Sequence, residues 1–107
     1  MTDLTDRVVL VTGAAGGIGR ALSRAFAAAG MRVGLCDVTA DGVNALAAEL
    51  GPRGLAVVAD VTDPASCVAA VDQVVAKWGT LHALVNNAGL GTQVGRASCR
   101  ERVSFLV

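Results

Sequence analysis

Apolar positions along this chain switch between two spacings. Val8–Thr12 is a β-branched apolar run bounded by glycine, too short for a helix, and predicts a buried strand. From Ile18 the spacing changes: Ile18, Leu22, Ala25, Phe26 and Ala29 share one helical face, and Gly30 ends the helix. Arg32–Asp37 predicts a second strand. Val43, Leu46, Ala47 and Leu50 repeat with helical spacing and predict a second helix, stopped at Gly51–Gly54. Leu55–Asp60 predicts a third strand. Thr62 or Asp63 caps the next helix, with Pro64 in its first turn. The predicted face of that helix is Val68, Val71, Val74, Val75 and Trp78, and Gly79 closes it. Leu81–Asn86 then predicts a fourth strand.

Strands that read as continuous apolar runs, separated by helices, indicate an α/β protein with a parallel sheet covered on both faces. Right-handed crossovers then give strand order 3-2-1-4. In that order the chain reverses direction between strands 1 and 4. A crevice opens at the carboxyl ends of the strands, where such sheets take ligands. Two glycine- or asparagine-rich stretches fall there: Thr12–Gly19 (TGAAGGIG) and Asn86–Gly89 (NNAG).

Gly13 suits a sharp turn out of the first strand. Gly17 leaves room for a ligand to approach the backbone, and Gly19 lets the helix pack closely. The free N–H groups and positive dipole end of that helix suit a pyrophosphate. A Walker-type loop is excluded, because Arg20 and Ala21 stand where it needs Lys and Ser or Thr. A tight strand–helix turn without a ligand is the plainer alternative. Asp37 changes the picture: it ends the second strand eighteen residues after Gly19, where a carboxylate can accept from both hydroxyls of an adenosine ribose. It would repel a 2′-phosphate, and no basic residue occupies Ala14–Gly17, Val38 or Thr39 to welcome one. NAD is therefore expected over NADP.

These residues together resemble the N-terminal, cofactor-binding half of the classical short-chain dehydrogenase/reductase family. The match is carried by Thr12, Gly13, Gly17 and Gly19, by Asp37, by Asp60–Ser66 (DVTDPAS) and by Asn86–Gly89, in the family's order and separations. The resemblance implies a Rossmann-type three-layer sheet, here truncated after four strands. It also implies a cofactor site made of Gly13, Ala15, Gly16, Gly17, Ile18, Gly19, Asp37, Asp60, Val61, Asn87, Ala88 and Gly89. Asp60 would bond the adenine amino group and Val61 would contact the ring through its backbone. Asn87, Ala88 and Gly89 would border the adenosine side, with Asn86 or Asn87 tying the fourth strand to its neighbours. For Asp60 a capping role is the alternative, and for the two asparagines a structural turn. The family's reaction is hydride transfer between a nicotinamide dinucleotide and an alcohol or carbonyl, in an assembly of identical subunits.

The family's proton-transfer residues are an Asn, a Ser and a Tyr-x-x-x-Lys pair, all downstream of NNAG. These 107 residues contain no tyrosine. Their one lysine, Lys77, falls on the third helix, away from the crevice. No catalytic residue is therefore assigned. The expected division is a dinucleotide-binding half-domain over residues 1–91 and an irregular tail over 92–107 that matches no family motif, as in a truncated gene product. A non-catalytic nucleotide-binding chain, or a product without function, is the alternative to an enzyme fragment.

Bulk properties set the remaining bounds. Nine basic and nine acidic residues give a formal net charge of zero, so no global field favours nucleic acid or an acidic membrane. The composition is 53% hydrophobic but only 3% aromatic, so the core is built from Ala, Val and Leu. Apolar runs fall well short of the roughly 20 residues of a membrane span, and the N-terminus lacks the pattern of a signal peptide. Cys36, Cys67 and Cys99 form neither a zinc motif nor a disulfide framework. Reduced thiols, no metal and a cytoplasmic location are expected.

Overall fold

The structure, a computed structural model, describes residues 3–87. Its elements are β1 (Val8–Thr12), α1 (Gly17–Ala28), β2 (Arg32–Asp37), α2 (Ala40–Leu50), a turn of 3-10 helix (Gly51–Arg53), β3 (Gly54–Val58), α3 (Pro64–Trp78) and β4 (Ala83–Val85). The four strands form one sheet in the order β3-β2-β1-β4, and every pairing is parallel. This is the predicted α/β, Rossmann-type order.

The central strand shows why the order is stable. All five residues of β1 are buried. Its side chains alternate between two cores. Val8 and Leu10 join Val57, Cys67, Ala70 and Val74 beneath α3. Val9 and Val11 join Val33, Leu35, Val43 and Leu46 beneath α1 and α2. Burying a Val or Leu side chain stabilises by about 1.5–3 kcal/mol, so two-sided burial of β1 anchors both layers at once.

The ends of the elements follow local chemistry. Gly30 (φ +92°), Gly51 (φ +67°) and Gly79 (φ +83°) adopt left-handed conformations after the three helices. Asp63 caps α3, its carboxylate accepting from Ala65 N at 3.2 Å, with Pro64 in the first turn. Of the two residues named as caps, Asp63 holds the position and Thr62 does not.

Several details depart from the sequence pattern, among them β3, which runs Gly54–Val58 and stops short of Asp60. The buried face of α1 is Gly19 and Ser23, whereas Ile18 is 67% exposed. Ser23 tolerates burial because its hydroxyl donates to Gly19 O at 2.7 Å. The buried face of α3 is Cys67, Ala70 and Val74, with Val75 exposed. In both helices small residues allow the close approach, joined in α3 by the predicted Val74, while Ile18 and Val75 fall outside it. β4 is shorter than predicted, because its ladder with β1 spans only Ala83–Val85. His82 lies just outside it and extends it differently: its N–H donates to Val8 O at 2.9 Å, and its Nδ1 accepts from Val8 N at 2.9 Å. Cys36 is a free, buried thiol. Cys67 is disulfide-bonded, in contrast to the expected reduced state. The predicted tail, residues 92–107, lies outside the described residues.

Candidate functional site

The site begins where β1 ends. Gly13 leaves the strand with φ +67°, a conformation that favours glycine. Gly16 N closes the turn by donating to Gly13 O at 3.1 Å. Gly16 is then the N-cap of α1 in extended conformation, with no side chain to offer the helix. The first helical bond is Arg20 N to Gly16 O at 2.9 Å. The N–H groups of Gly17, Ile18 and Gly19 therefore have no acceptor within the helix, as at any helix start, and face outward with its positive dipole end.

The two glycines of that first turn differ. A Cβ on Gly17 would meet nothing within 4 Å, so open space adjoins it. A Cβ on Gly19 would overlap the Gly13 carbonyl oxygen and come within 2.8 Å of Ala14 Cα. Gly19 thus lets the helix close against the turn itself, a tighter constraint than packing against the sheet. Ile18, exposed beside Gly17, stands at the rim of the loop rather than in the core.

Asp37, at the end of β2, reaches the same loop. Its Oδ2 accepts from Ala15 N at 3.0 Å and its Oδ1 from Thr39 N at 3.2 Å. Each carboxylate oxygen offers about two acceptor positions, so both retain capacity for a further donor. Gly13, Asp37 and Asp60 line one cleft with Cys36, Val38, Ala59, Val61 and Thr62. Its volume is about 190 Å³, the scale of a subsite rather than of a whole pocket of roughly 300–1,000 Å³. Val61 is buried at the cleft.

Asp60 is locally organised. Its Oδ1 accepts from Thr62 N at 2.9 Å and from Thr62 Oγ1 at 2.6 Å. These bonds hold its carboxyl below the usual 3.8. Asp60 N in turn donates to Ser66 Oγ at 3.0 Å. Asp60 therefore caps nothing; it closes an Asx turn at the mouth of the cleft, and Asp63 serves the helix. Cys36, in the cleft wall, is 0% exposed. Burial, with the charges of Asp37 and Asp60 nearby, pushes its thiol up to about 12, so it is no nucleophile at neutral pH.

The end of β4 closes the other side. Thr12 Oγ1 lies 3.4 Å from Val85 O and 3.3 Å from Asn86 Oδ1, and Asn87 Nδ2 donates to Gly13 O at 3.4 Å. Both asparagines thus tie the β4 exit to β1 and to the glycine turn. Ala88 and Gly89 lie outside the described residues. The structure accordingly gathers Gly13, Ala15, Gly16, Gly17, Ile18, Gly19, Asp37, Asp60, Val61 and Asn87 at the carboxyl end of one sheet. Sequence reasoning missed Cys36, Val38, Ala59 and Thr62 as cleft residues. The Asp-x-Thr spacing of Asp60 and Thr62 is the signal for the turn they form. Among the described residues no group of three or more His, Cys, Asp or Glu could hold a metal ion, and no helix is long and apolar enough to cross a membrane.

A parallel 3-2-1-4 sheet, a glycine turn into an uncapped helix and an acid at the end of β2 define a dinucleotide-fold protein. The family model of the short chain dehydrogenases matches residues 7–104. The chain belongs to that family. It is 42% identical over 87 residues to a sorbitol dehydrogenase of Cereibacter sphaeroides, a match that covers 81% of this chain and 34% of that protein. A short chain dehydrogenase/reductase of Burkholderia phymatum, solved in complex with NAD, superposes with a TM-score of 0.91 at 26% identity, over 100% of this chain and 46% of that one. A 3-ketoacyl-(acyl-carrier-protein) reductase of Brucella melitensis, complexed with NADH, gives a TM-score of 0.85 at 29% identity, over 94% of this chain and 49% of that one. The chain spans about a third of the length of the sorbitol dehydrogenase it matches.

Proposed function

We propose that these residues form the adenosine-binding part of an NAD-dependent short-chain oxidoreductase, whose whole protein moves a hydride between NAD and an alcohol or carbonyl. The observation that carries the reading is the Asp37 carboxylate, fixed by Ala15 N and Thr39 N beside Gly13 at the mouth of the cleft. In that role its remaining acceptor positions take the two adenosine ribose hydroxyls. The backbone N–H groups of the first turn of α1, open at Gly17, take the pyrophosphate. Asp60 and Val61 border the adenine, and Asn87 the far side of the nucleoside. The nicotinamide ring supplies the hydride chemistry, and the residues described here only bind and orient.

The cleft also favours NAD over NADP. Its lining holds two carboxylates, Asp37 and Asp60, and no basic side chain, so a 2′-phosphate would meet charge of its own sign. The same reading puts the whole enzyme in an assembly of identical subunits. One observation favours a second reading, a nucleotide-binding chain without chemistry of its own. The 107 residues hold no tyrosine, and Lys77 lies in a groove with Asp6, Arg32, Pro52, Arg53 and Trp78. Arg32 begins β2 whereas Asp37 ends it, so that groove is at the opposite end of the sheet from the cleft.

Titrating NADH and NADPH against the chain tests the proposal. NADH is expected to bind more tightly, and Asp37→Ala to narrow the difference. Tighter binding of NADPH to the unmodified chain refutes the cofactor choice, and no binding of either nucleotide refutes the site.

A further inference from the structure

Gly42 stands in the first turn of α2, where glycine is a poor helix former. A Cβ built on it would lie 2.7 Å from Ala15 Cβ and 3.7 Å from Ala15 Cα. Non-bonded carbons rest at about 3.5–4.0 Å, so a methyl group at Gly42 requires something to move. Ala15 has no side-chain torsion to turn, so relief means a shift of backbone. On the helix side, the residue after Gly42 is Val43, which is 0% exposed and pins α2 to the core. On the other side stands the turn of Gly13–Gly16, in which Ala15 and Gly13 are only half-buried.

What Ala15 holds makes its place consequential. Ala15 N donates to Asp37 Oδ2 at 3.0 Å, and Asp37 Oδ1 accepts from Thr39 N, at the N-cap of α2, at 3.2 Å. Gly42, Ala15, Asp37 and Thr39 close a loop of contacts between the glycine turn, the end of β2 and the start of α2. We infer that Gly42 is a positioning residue for the cofactor ribose: by lacking a side chain it lets Ala15 seat on α2, where the Ala15 N–H holds the Asp37 carboxylate in place. The inference rests on the reading of Asp37 as the ribose acceptor.

A double-mutant cycle with Gly42→Ala, Ala15→Gly and both together tests it on the full chain. The first readout is hydrogen exchange of the residue-15 amide by NMR. In Gly42→Ala the amide is expected to exchange roughly 10- to 100-fold faster, the worth of a hydrogen bond to a charged acceptor. The second is the ratio of NADH to NADPH affinity, which should narrow. The third is the melting temperature, which should fail to rise although alanine is the better helix former. Ala15→Gly removes the methyl that the new one meets. The double variant should therefore regain slow exchange and the affinity ratio, and melt above Ala15→Gly alone. If Gly42→Ala does not fold, recovery of the fold in the double variant supports the contact, and continued failure overturns it. Unchanged exchange in a folded Gly42→Ala, or a raised melting temperature with Ala15 in place, overturns the inference. If the unmodified chain binds neither nucleotide, the ribose reading falls by itself, while exchange and melting still decide whether Gly42 seats Ala15.

Discussion

Gly17→Ala is expected to separate stability from binding. The residue opens α1, and a Cβ there would meet nothing within 4 Å. The folded state therefore accepts the methyl without strain, while the unfolded chain loses freedom. A compatible Gly→Ala change stabilises by about 0.4–1 kcal/mol. For a domain of this size each kcal/mol moves the melting temperature by roughly 4–8 °C, so a rise of roughly 2–8 °C is expected. The same open space is where the proposed pyrophosphate meets the first N–H groups of the helix. A methyl that holds the phosphate beyond hydrogen-bond reach removes bonds worth about 1.5–3 kcal/mol each to a charged acceptor. One such loss weakens binding by roughly 10- to 150-fold.

Gly19→Ala is the control. Its Cβ would overlap the Gly13 carbonyl oxygen and approach Ala14 Cα to 2.8 Å. Overpacking of this kind costs about 1–3 kcal/mol, more than helix propensity returns. Differential scanning fluorimetry and NADH titration of both variants give the test. Gly17→Ala should melt higher and bind worse; Gly19→Ala should melt lower. A Gly17→Ala chain that melts higher and binds NADH as tightly as the unmodified one would show that the dinucleotide does not approach this helix start. A lower melting temperature would show that the open space is not open.

Three further outcomes are expected. His82→Ala leaves the buried Val8 N–H without the imidazole acceptor it has at 2.9 Å, a loss of about 1–3 kcal/mol; chemical denaturation reads it, and an unchanged midpoint would discount the bond. In acid, the Glu49 carboxyl, held below its usual 4.5 by Arg24, and Asp60, held below 3.8 by Thr62, both have depressed values in the folded state. Their stabilisation is complete above those ordinary values and disappears as pH falls through the folded ones, so melting temperature should hold down to about pH 5 and drop below it; a rise between pH 5 and 3 would contradict this. Among the described residues β4 pairs only with β1, and its three residues are half-buried, so its outer edge can template pairing between chains. Gel filtration should shift to larger species with concentration, and Ala83→Lys should suppress the shift; a monomer at every concentration would refute it.

What the sequence made legible follows from what burial requires. β1 and β2 fall at their predicted limits, because a strand covered on both faces must be apolar at every position and the chain turns polar or glycine-rich where cover ends. The limits of β3 and β4 differ because ladder length is set by the partner. β3 stops at Val58, opposite Asp37, and β4 spans only residues opposite Val9–Val11, although apolar residues run further in both. Helix faces were the least legible. Counting apolar size selects Ile18 and Val75, yet close approach selects Gly19, Ser23, Cys67 and Ala70. Ile18 instead stands exposed at the rim of the glycine loop, where the family pattern rather than periodicity expects it. Gly42 had no signal, because its reason is a single contact with Ala15 across the fold.

The burial pattern also bears on where binding can be complete. β1 is wholly buried and β2 nearly so, while every residue of β4 remains half-exposed. The cleft lies on the side of β1, β2 and β3, although β3 is itself buried only at Val57. Gly13, Asp37 and Asp60 belong to that side, and their positions are set by bonds within it: Ala14 N to Cys36 O at 3.0 Å, Ala59 N to Asp37 O at 3.1 Å, and Ala15 N to Asp37 Oδ2 at 3.0 Å. From the β4 side, Asn87 reaches the turn through a long 3.4 Å bond to Gly13 O. On the proposed reading, residues held by these bonds recognise the adenosine and its ribose, and what adjoins β4 recognises the nicotinamide end. ADP-ribose, which carries the first group without the second, should accordingly bind this chain nearly as tightly as NADH does. A chain that bound NADH well but ADP-ribose poorly would place the main recognition on the β4 side and refute this division of the site.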